Sequence, residues 1–198
     1  MKRIGLLGGS FNPAHAGHLR ISLAAMRQLG LDEVWWLVSP QNPLKTAAGM
    51  APLAARLASA RIAARHPRIQ VSALEADLGT RYTVDTVGAL VKLYPTHRFV
   101  WLMGADILSQ LHRWRRWRDF ARAVPIAVFP RPGYSSVGLG APAMAWLGRW
   151  RRSSGRARDW TRWTLPAIVM LDIKLDSHSA TAIREREPDW AARLLNRS

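Results

Sequence analysis

An α/β fold, a Rossmann-like doubly wound parallel sheet with helices on both faces, is expected from three features of this 198-residue chain. Short, near-continuous apolar runs alternate along it with stretches of helical spacing, as in a succession of βα units. The apolar runs show little polar alternation, which marks strands buried on both faces. The first run breaks into a glycine turn that leads directly into a helical stretch, "GLLGGSFNPAHAGHLR".

"RIGLLG" (3–8) reads as a buried strand, and His18 to Leu29 carries Leu19, Ile21, Leu23, Ala24, Met26 and Leu29 close to helical spacing. "EVWWLVS" (33–39) is a second strand, followed by a loop with two prolines and a glycine, "QNPLKTAAGMAP". Pro52 to Arg65 is Ala/Arg/Leu-rich and helical, and "IQVSA" (69–73) is a third strand. Thr83 to Leu93 sets Val84, Val87, Leu90 and Val91 on one helical face, with Thr83 as its expected N-cap. "RFVWLMG" (98–104) is the fourth strand, with a helix to about His112 and another from Trp117 to Ala123. "PIAVFP" (125–130) and "AIVML" (167–171) complete the strands as fifth and sixth. Ala180 to Glu187 and Pro188 to Asn196 read as terminal helices. One domain over 1–198 is expected, with an irregular Trp/Arg-rich elaboration around 134–165.

Hydrophobic residues make up 48% of the chain, enough for a substantial core. Cysteine is absent, which excludes disulfides and thiolate metal sites and suits a reduced, cytoplasmic setting. "MKRIGLL" starts like a secretion signal, but its apolar run is too short and breaks at once. No stretch approaches the roughly 20 apolar residues of a membrane span. The formal charge of +16, from 29 Lys+Arg against 13 Asp+Glu, points to polyanionic partners without choosing among nucleotides, nucleic acid and acidic surfaces.

In open α/β sheets ligands sit beyond the carboxyl ends of the strands, so Gly9 to His18 lies where a ligand would lie. Glycines let the backbone approach a phosphate, and the following helix offers N–H groups and a positive dipole end. His15 and His18, three apart, can both point into that mouth. A metal pair and two structurally satisfied histidines are the alternatives. The stretch is neither G-x-G-x-x-G nor a P-loop.

"GGSFNPAHAGH" resembles the phosphate-binding signature of the H-x-G-H nucleotidyltransferase superfamily, and within it the chain resembles the bacterial nicotinate-nucleotide adenylyltransferases. Further segments agree in order: "QNPLK" (41–45), "YTVDT" (82–86), "GADILSQLHRW" (104–114), "PRPGY" (130–134) and "SATAIRE" (179–185). Departures are Asn12 where many relatives have Asp, Leu44 where many have His, His178 in place of an apolar residue, and the unmatched stretch 146–163.

The resemblance implies adenylyl transfer from ATP to nicotinate mononucleotide, giving deamido-NAD and pyrophosphate. The attacking phosphate is already an anion, so alignment and charge stabilisation suffice. By the same resemblance, His18 contacts the α-phosphate and His15 supports the phosphates. The backbone of Gly9, Ser10 and Phe11 lines the nucleotide, while Gly104 and Asp106 meet the ribose. Ser179, Thr181, Ile183 and Arg184 receive the triphosphate at a helix start, and Lys45 reaches over it. Tyr82, Thr83, Trp114 and Arg131 hold the mononucleotide, with Trp114 stacking on the pyridine ring and Trp117 packing beside it in the core. Mg²⁺ enters with ATP, held mainly by phosphate and water, with no dedicated protein metal site. Ordinary roles stand beside these: solvated cations for Lys45 and Arg184, helix caps for Asp106, Ser179 and Thr181.

The rival acceptors are nicotinamide mononucleotide and phosphopantetheine. A rival of another kind is a nucleic-acid surface, since "HRWRRWR" (112–118) and "WLGRWRRSSGRARDWTRW" (146–163) interleave arginine with tryptophan. No sequence-specific nucleic-acid partner and no membrane partner are expected; a third reading of these aromatics is a contact with another copy of the chain.

Overall fold

The structure, a computed structural model, describes residues 1–40, 49–130, 140–173 and 180–195. Seven strands form one parallel sheet in the order β3-β2-β1-β4-β5-β7-β6. They are β1 (Arg3–Gly9), β2 (Glu33–Val38), β3 (Ile69–Ser72), β4 (Arg98–Gly104), β5 (Ile126–Phe129), β6 (Arg151–Arg152) and β7 (Ile168–Met170). The helices are α1 (Ala16–Leu29), α2 (Leu53–Ala64), α3 (Leu74–Asp77), α4 (Thr83–Leu93), α5 (Ala105–Leu108), α6 (Trp117–Ala123), α7 (Pro142–Leu147), α8 (Ala180–Arg186) and α9 (Trp190–Leu195). Among the described residues, no helix is long and apolar enough to cross a membrane.

Strand pleating divides the apolar residues between two cores. Leu7, Val34, Trp36, Val100 and Leu102 face one layer with α1 and α2, while Ile4, Leu6, Phe99, Trp101 and Met103 face the other with α4 and α6. The strand order reverses at β1: α1 leads from β1 to β2 on one side, and α4 leads from β3 to β4 on the other. A crevice therefore opens between the carboxyl ends of β1 and β4. Gly8 stands at this junction because the Trp101 indole fills the space beside it; a Cβ on Gly8 would lie 2.6 Å from the ring.

Four expectations need correction. The cap of α4 is Tyr82, and Thr83 is the first helical residue, with no side-chain cap bond. The helix expected to run from residue 105 to about His112 is a single turn, α5, followed by a separate 3₁₀ turn over Leu111–Arg113. The strand at 168–170 is seventh rather than sixth in chain order, because Arg151–Arg152 adds a two-residue edge strand beside it. The stretch 134–165 is not irregular where described. It holds α7, 3₁₀ turns and β6, and it buries Trp160 against α1, whose Leu29 carbonyl accepts from the indole Nε1 at 3.0 Å.

The tryptophan at 160 thus ties the elaboration to the first layer of core, with the Arg3 guanidinium 5.6 Å from its ring centroid. Trp160→Ala is expected to lower stability by about 3–5 kcal/mol, from lost contacts and a cavity, as read by urea denaturation. A loss under about 1 kcal/mol would mean that the stretch is only loosely attached.

Candidate active site

The glycine turn after β1 is built by its own side chains. Phe11 has φ 47°, the left-handed region that non-glycine residues seldom enter, and its ring is only 2% exposed. Packing maintains it there: the ring stacks on Trp36 at 5.2 Å and lies 4.7 Å from the His18 ring. Phe11 therefore forms a floor under His18, and what its turn presents to a ligand is backbone.

His15 is the N-cap of α1, and its Nδ1 accepts the Gly17 N–H at 3.1 Å. His18 is three residues on, and its Nδ1 accepts the His15 N–H at 3.2 Å. This is a reciprocal capping box made of two imidazoles, whose ring centroids are 4.0 Å apart. An Nδ1 that accepts is unprotonated, so in each neutral ring the hydrogen sits on Nε2. Capping thus fixes the tautomer and makes both Nε2 atoms donors, which is the polarity an anion requires. Metal ligation through Nδ1 is disfavoured for the same reason. The capping and anion-binding readings of this pair are compatible.

Asn12 bridges the turn to the start of α2. Its Nδ2 donates to the Gly49 carbonyl at 2.8 Å, and its Oδ1 accepts from the Ala51 N–H at 3.1 Å. An aspartate here could make only the second bond, which is what this departure from the family pattern provides.

The far end of the chain arrives at the same turn. Arg184, on α8, donates from Nη1 to the Asn12 carbonyl at 2.6 Å and from Nη2 to the Thr181 hydroxyl at 3.1 Å. The structure therefore brings together Gly9, Ser10, Phe11, His15, His18, Thr181 and Arg184. Ile183 lies on the same short helix and lines a cavity with Pro13 and Ala14.

Across the crevice, Gly104 caps α5 with extended backbone, and Asp106 lies in the first turn of that helix rather than at its cap. Trp114 is half-buried, edge-on to Trp101 at 6.1 Å and tilted against Phe120 at 5.6 Å. The Arg115 guanidinium lies 4.6 Å from the Tyr82 ring centroid, which sets Trp114 and Arg115 beside the start of α4. There Thr86 Oγ1 and Thr80 Oγ1 are 2.8 Å apart, and the Thr86 hydroxyl also bonds the Tyr82 carbonyl. Lys45, Arg131 and Ser179 lie outside the described residues, as do Leu44 and His178.

Beyond Trp114 and Arg115, the Trp/Arg repeats form an aromatic ladder of their own. Trp117, Trp146 and Trp150 meet in series, edge-on at 5.3 Å and tilted at 4.4 Å, with Arg118, Arg122 and Arg149 over their rings. Trp117 joins this ladder to the core behind the crevice, as expected: it is partly buried against the same apolar cluster as Trp114.

Two charged residues of the site were not singled out from the sequence. Arg56 on α2 is 1% exposed and donates to four backbone carbonyls: Ala51, Ser10, Ser39 and Pro40. Its burial shows in a pKa held below the usual arginine value by desolvation. A sequence signal existed: the small residues Ala55, Ser59, Ala60 and Ala64 mark the buried stripe of α2, and Arg56 lies on it. Glu75 on α3 is 7% exposed, and burial raises its pKa, partly offset by a hydrogen bond with the Ser39 side chain.

Glu75 makes a testable contribution to stability. Its native pKa lies above the unfolded value near 4.5, so between the two the native state holds a proton that the unfolded chain has lost. Stability then falls as pH rises from about 4.5 through the native value. Glu75→Gln is expected to abolish that slope and to be at least as stable as wild type at neutral pH. Urea denaturation across a pH series checks it, and an unchanged slope in the variant would contradict the assignment.

A parallel sheet whose crevice joins a His-capped glycine turn to Arg184 is the arrangement of a nucleotide-binding transferase, and the comparisons agree. The model of the family described as cytidylyltransferase-like matches residues 6–186, so the chain belongs to that family. Within it the chain belongs with the nicotinate-nucleotide adenylyltransferases. A curated relative from Erythrobacter litoralis, named "Probable nicotinate-nucleotide adenylyltransferase", is 59% identical over 96% of this chain and 87% of its own length. One of the same name from Parvibaculum lavamentivorans is 56% identical over 96% of this chain and 94% of its own. A solved structure of Plasmodium falciparum nicotinic acid mononucleotide adenylyltransferase complexed with APC superposes with a TM-score of 0.68 at 16% identity, over 93% of this chain and 83% of that one. The last is a likeness of fold.

Proposed function

We propose that the crevice binds ATP and nicotinate mononucleotide together and transfers the adenylyl group between them. The phosphate oxygen of the mononucleotide attacks the α-phosphorus of ATP in line. The bond from the α-phosphorus to the bridging oxygen breaks, and pyrophosphate leaves with that electron pair. No covalent enzyme intermediate is needed. The observation that supports this most directly is the 2.6 Å bond from Arg184 to the Asn12 carbonyl, which places a guanidinium on the turn that carries both histidines. A triphosphate laid on the start of α1 meets cation, imidazole N–H and helix dipole at once.

In this reading the Nε2–H of His18 follows charge from the α-phosphate to the leaving oxygen, while His15 holds the turn and adds a second donor. Asp106 accepts from ribose hydroxyls at the mouth of β4, with Gly104 allowing close approach. Thr181, Ser179, Ile183 and Lys45 complete the triphosphate side. On the acceptor side, Tyr82 and Thr83 present the first turn of α4, Trp114 supplies an aromatic face, and Arg131 a cation. Amide N–H groups at a helix start favour a carboxylate over an amide, the physical basis for choosing nicotinate.

Among the described residues there is no group of three or more His, Asp or Glu that could hold a metal ion. In this reading Mg²⁺ enters with ATP, held mainly by phosphate oxygens and water, where it supplies counter-charge.

Pyrophosphate release from ATP, with nicotinate mononucleotide, nicotinamide mononucleotide and phosphopantetheine side by side, tests the reading. The nicotinate acceptor is expected to give the highest kcat/KM. A faster reaction with either rival would reassign the acceptor, and no release with any of them would remove the reading.

A further inference from the structure

We propose that Arg56 is a positioning residue for adenylyl transfer, holding the carboxyl ends of β1 and β2 in the register the nucleotide turn needs. This rests on the reading just given. Three nitrogens serve four acceptors that come from three separate segments: Nη1 takes Ser10 at 2.8 Å and Ser39 at 2.6 Å, Nη2 takes Pro40 at 2.8 Å, and Nε takes Ala51 at 2.9 Å. Ser10 belongs to the glycine turn, Ser39 and Pro40 to the exit of β2, and Ala51 to the entry of α2, where Asn12 also binds.

The chemistry of the site favours geometry over stability as the reason for this residue. A guanidinium taken out of water loses its hydration, and among the described residues Arg56 has no carboxylate in ion-pair reach to compensate. An apolar side chain on a stripe of alanines would fill the same space without that loss. What it could not do is tie divergent carbonyls together. A planar fork with donors at fixed angles does so, whereas a lysine, a point charge with three donors on one atom, reaches fewer of them. Glu75 flanks the same β2 exit from the other side through the Ser39 side chain, so this strand end lies between a buried cation and a buried carboxyl.

The guanidinium is buried and gives four of its five N–H donors to backbone carbonyls, so its effect on the reaction runs through the placement of Ser10 and, beyond it, of His15 and His18. Misplacing reacting groups by about 1 Å typically costs about 100-fold in rate. Arg56→Lys and Arg56→Gln are therefore expected to lower kcat by about 10–100-fold with KM changed far less, at a temperature where circular dichroism shows both fully folded. A residue that only stabilised the fold would lower the melting temperature and leave kcat of the folded protein intact. Folded variants with kcat within twofold of wild type would overturn the proposal, as would failure of both to fold. Wild-type protein run in the same assay separates the two readings: an inactive wild type rejects adenylyl transfer itself, whereas an active wild type with equally active variants rejects only the role of Arg56.

Discussion

Replacing His18 by alanine is expected to lower kcat by about 10²–10³-fold, as loss of a donor aimed at developing charge does, while the protein stays folded. The structural cost includes the reciprocal cap bond from the His15 N–H to His18 Nδ1, worth about 0.5–2 kcal/mol, and the ring contacts with Phe11 and His15. Two further variants separate capping from catalysis. Asparagine places an acceptor near the Nδ1 position but has no donor where Nε2 lies, so His18→Asn should keep its melting temperature and remain slow. Glutamine carries an N–H out toward the Nε2 position, so His18→Gln should recover part of the rate at some cost to the cap. A folded His18→Asn protein with wild-type kcat would show that this imidazole serves the helix alone.

Removing the arginine at 184 is expected to raise KM for ATP by about 10–100-fold, the equivalent of the 1.5–3 kcal/mol typical of a hydrogen bond to a charged group. KM for the mononucleotide should move much less, because the guanidinium lies on the turn after β1 and not near Tyr82 or Trp114. Arg184→Lys should fall between the two, since lysine keeps the charge and loses the fork that spans the Asn12 carbonyl and Thr181. Steady-state kinetics with each substrate varied in turn measure this. Equal changes in both KM values would mean that Arg184 serves only to hold α8 on the turn after β1.

Much of this molecule is local in origin and was legible for that reason. The strands at Arg3–Gly9, Glu33–Val38 and Arg98–Gly104 are apolar runs bounded by polar or turn residues, and α1 announces itself through apolar spacing behind a glycine turn. The histidine turn was readable because glycine, a helix start and imidazoles act over a few residues. Arg151–Arg152 was not readable as a strand: two arginines have no apolar pattern, and they are strand only because the backbone of β7 pairs with them. Thr83 fits a cap by residue type, yet it is already the first helical residue and Tyr82 is the cap, because side-chain identity is a weaker constraint than where the chain turns. Arg56 resembles its neighbours Arg61 and Arg65 in composition; its difference is that its stripe of α2 faces the strand ends.

By itself, then, the sequence determined the main alternation of strands and helices, the capped glycine turn after β1 and the residue types able to handle phosphate. These depend on spacing within one or two helical turns. Only the tertiary structure decided that Arg184 lands on Asn12, 172 residues away, and that Arg56 points inward to four carbonyls. It also decided which tryptophans are buried, Trp36, Trp101, Trp160 and Trp190 among them, and which meet in the Trp117–Trp146–Trp150 ladder. Such contacts join distant segments, and they are set by how the layers close over the sheet rather than by any preference of the residues that make them.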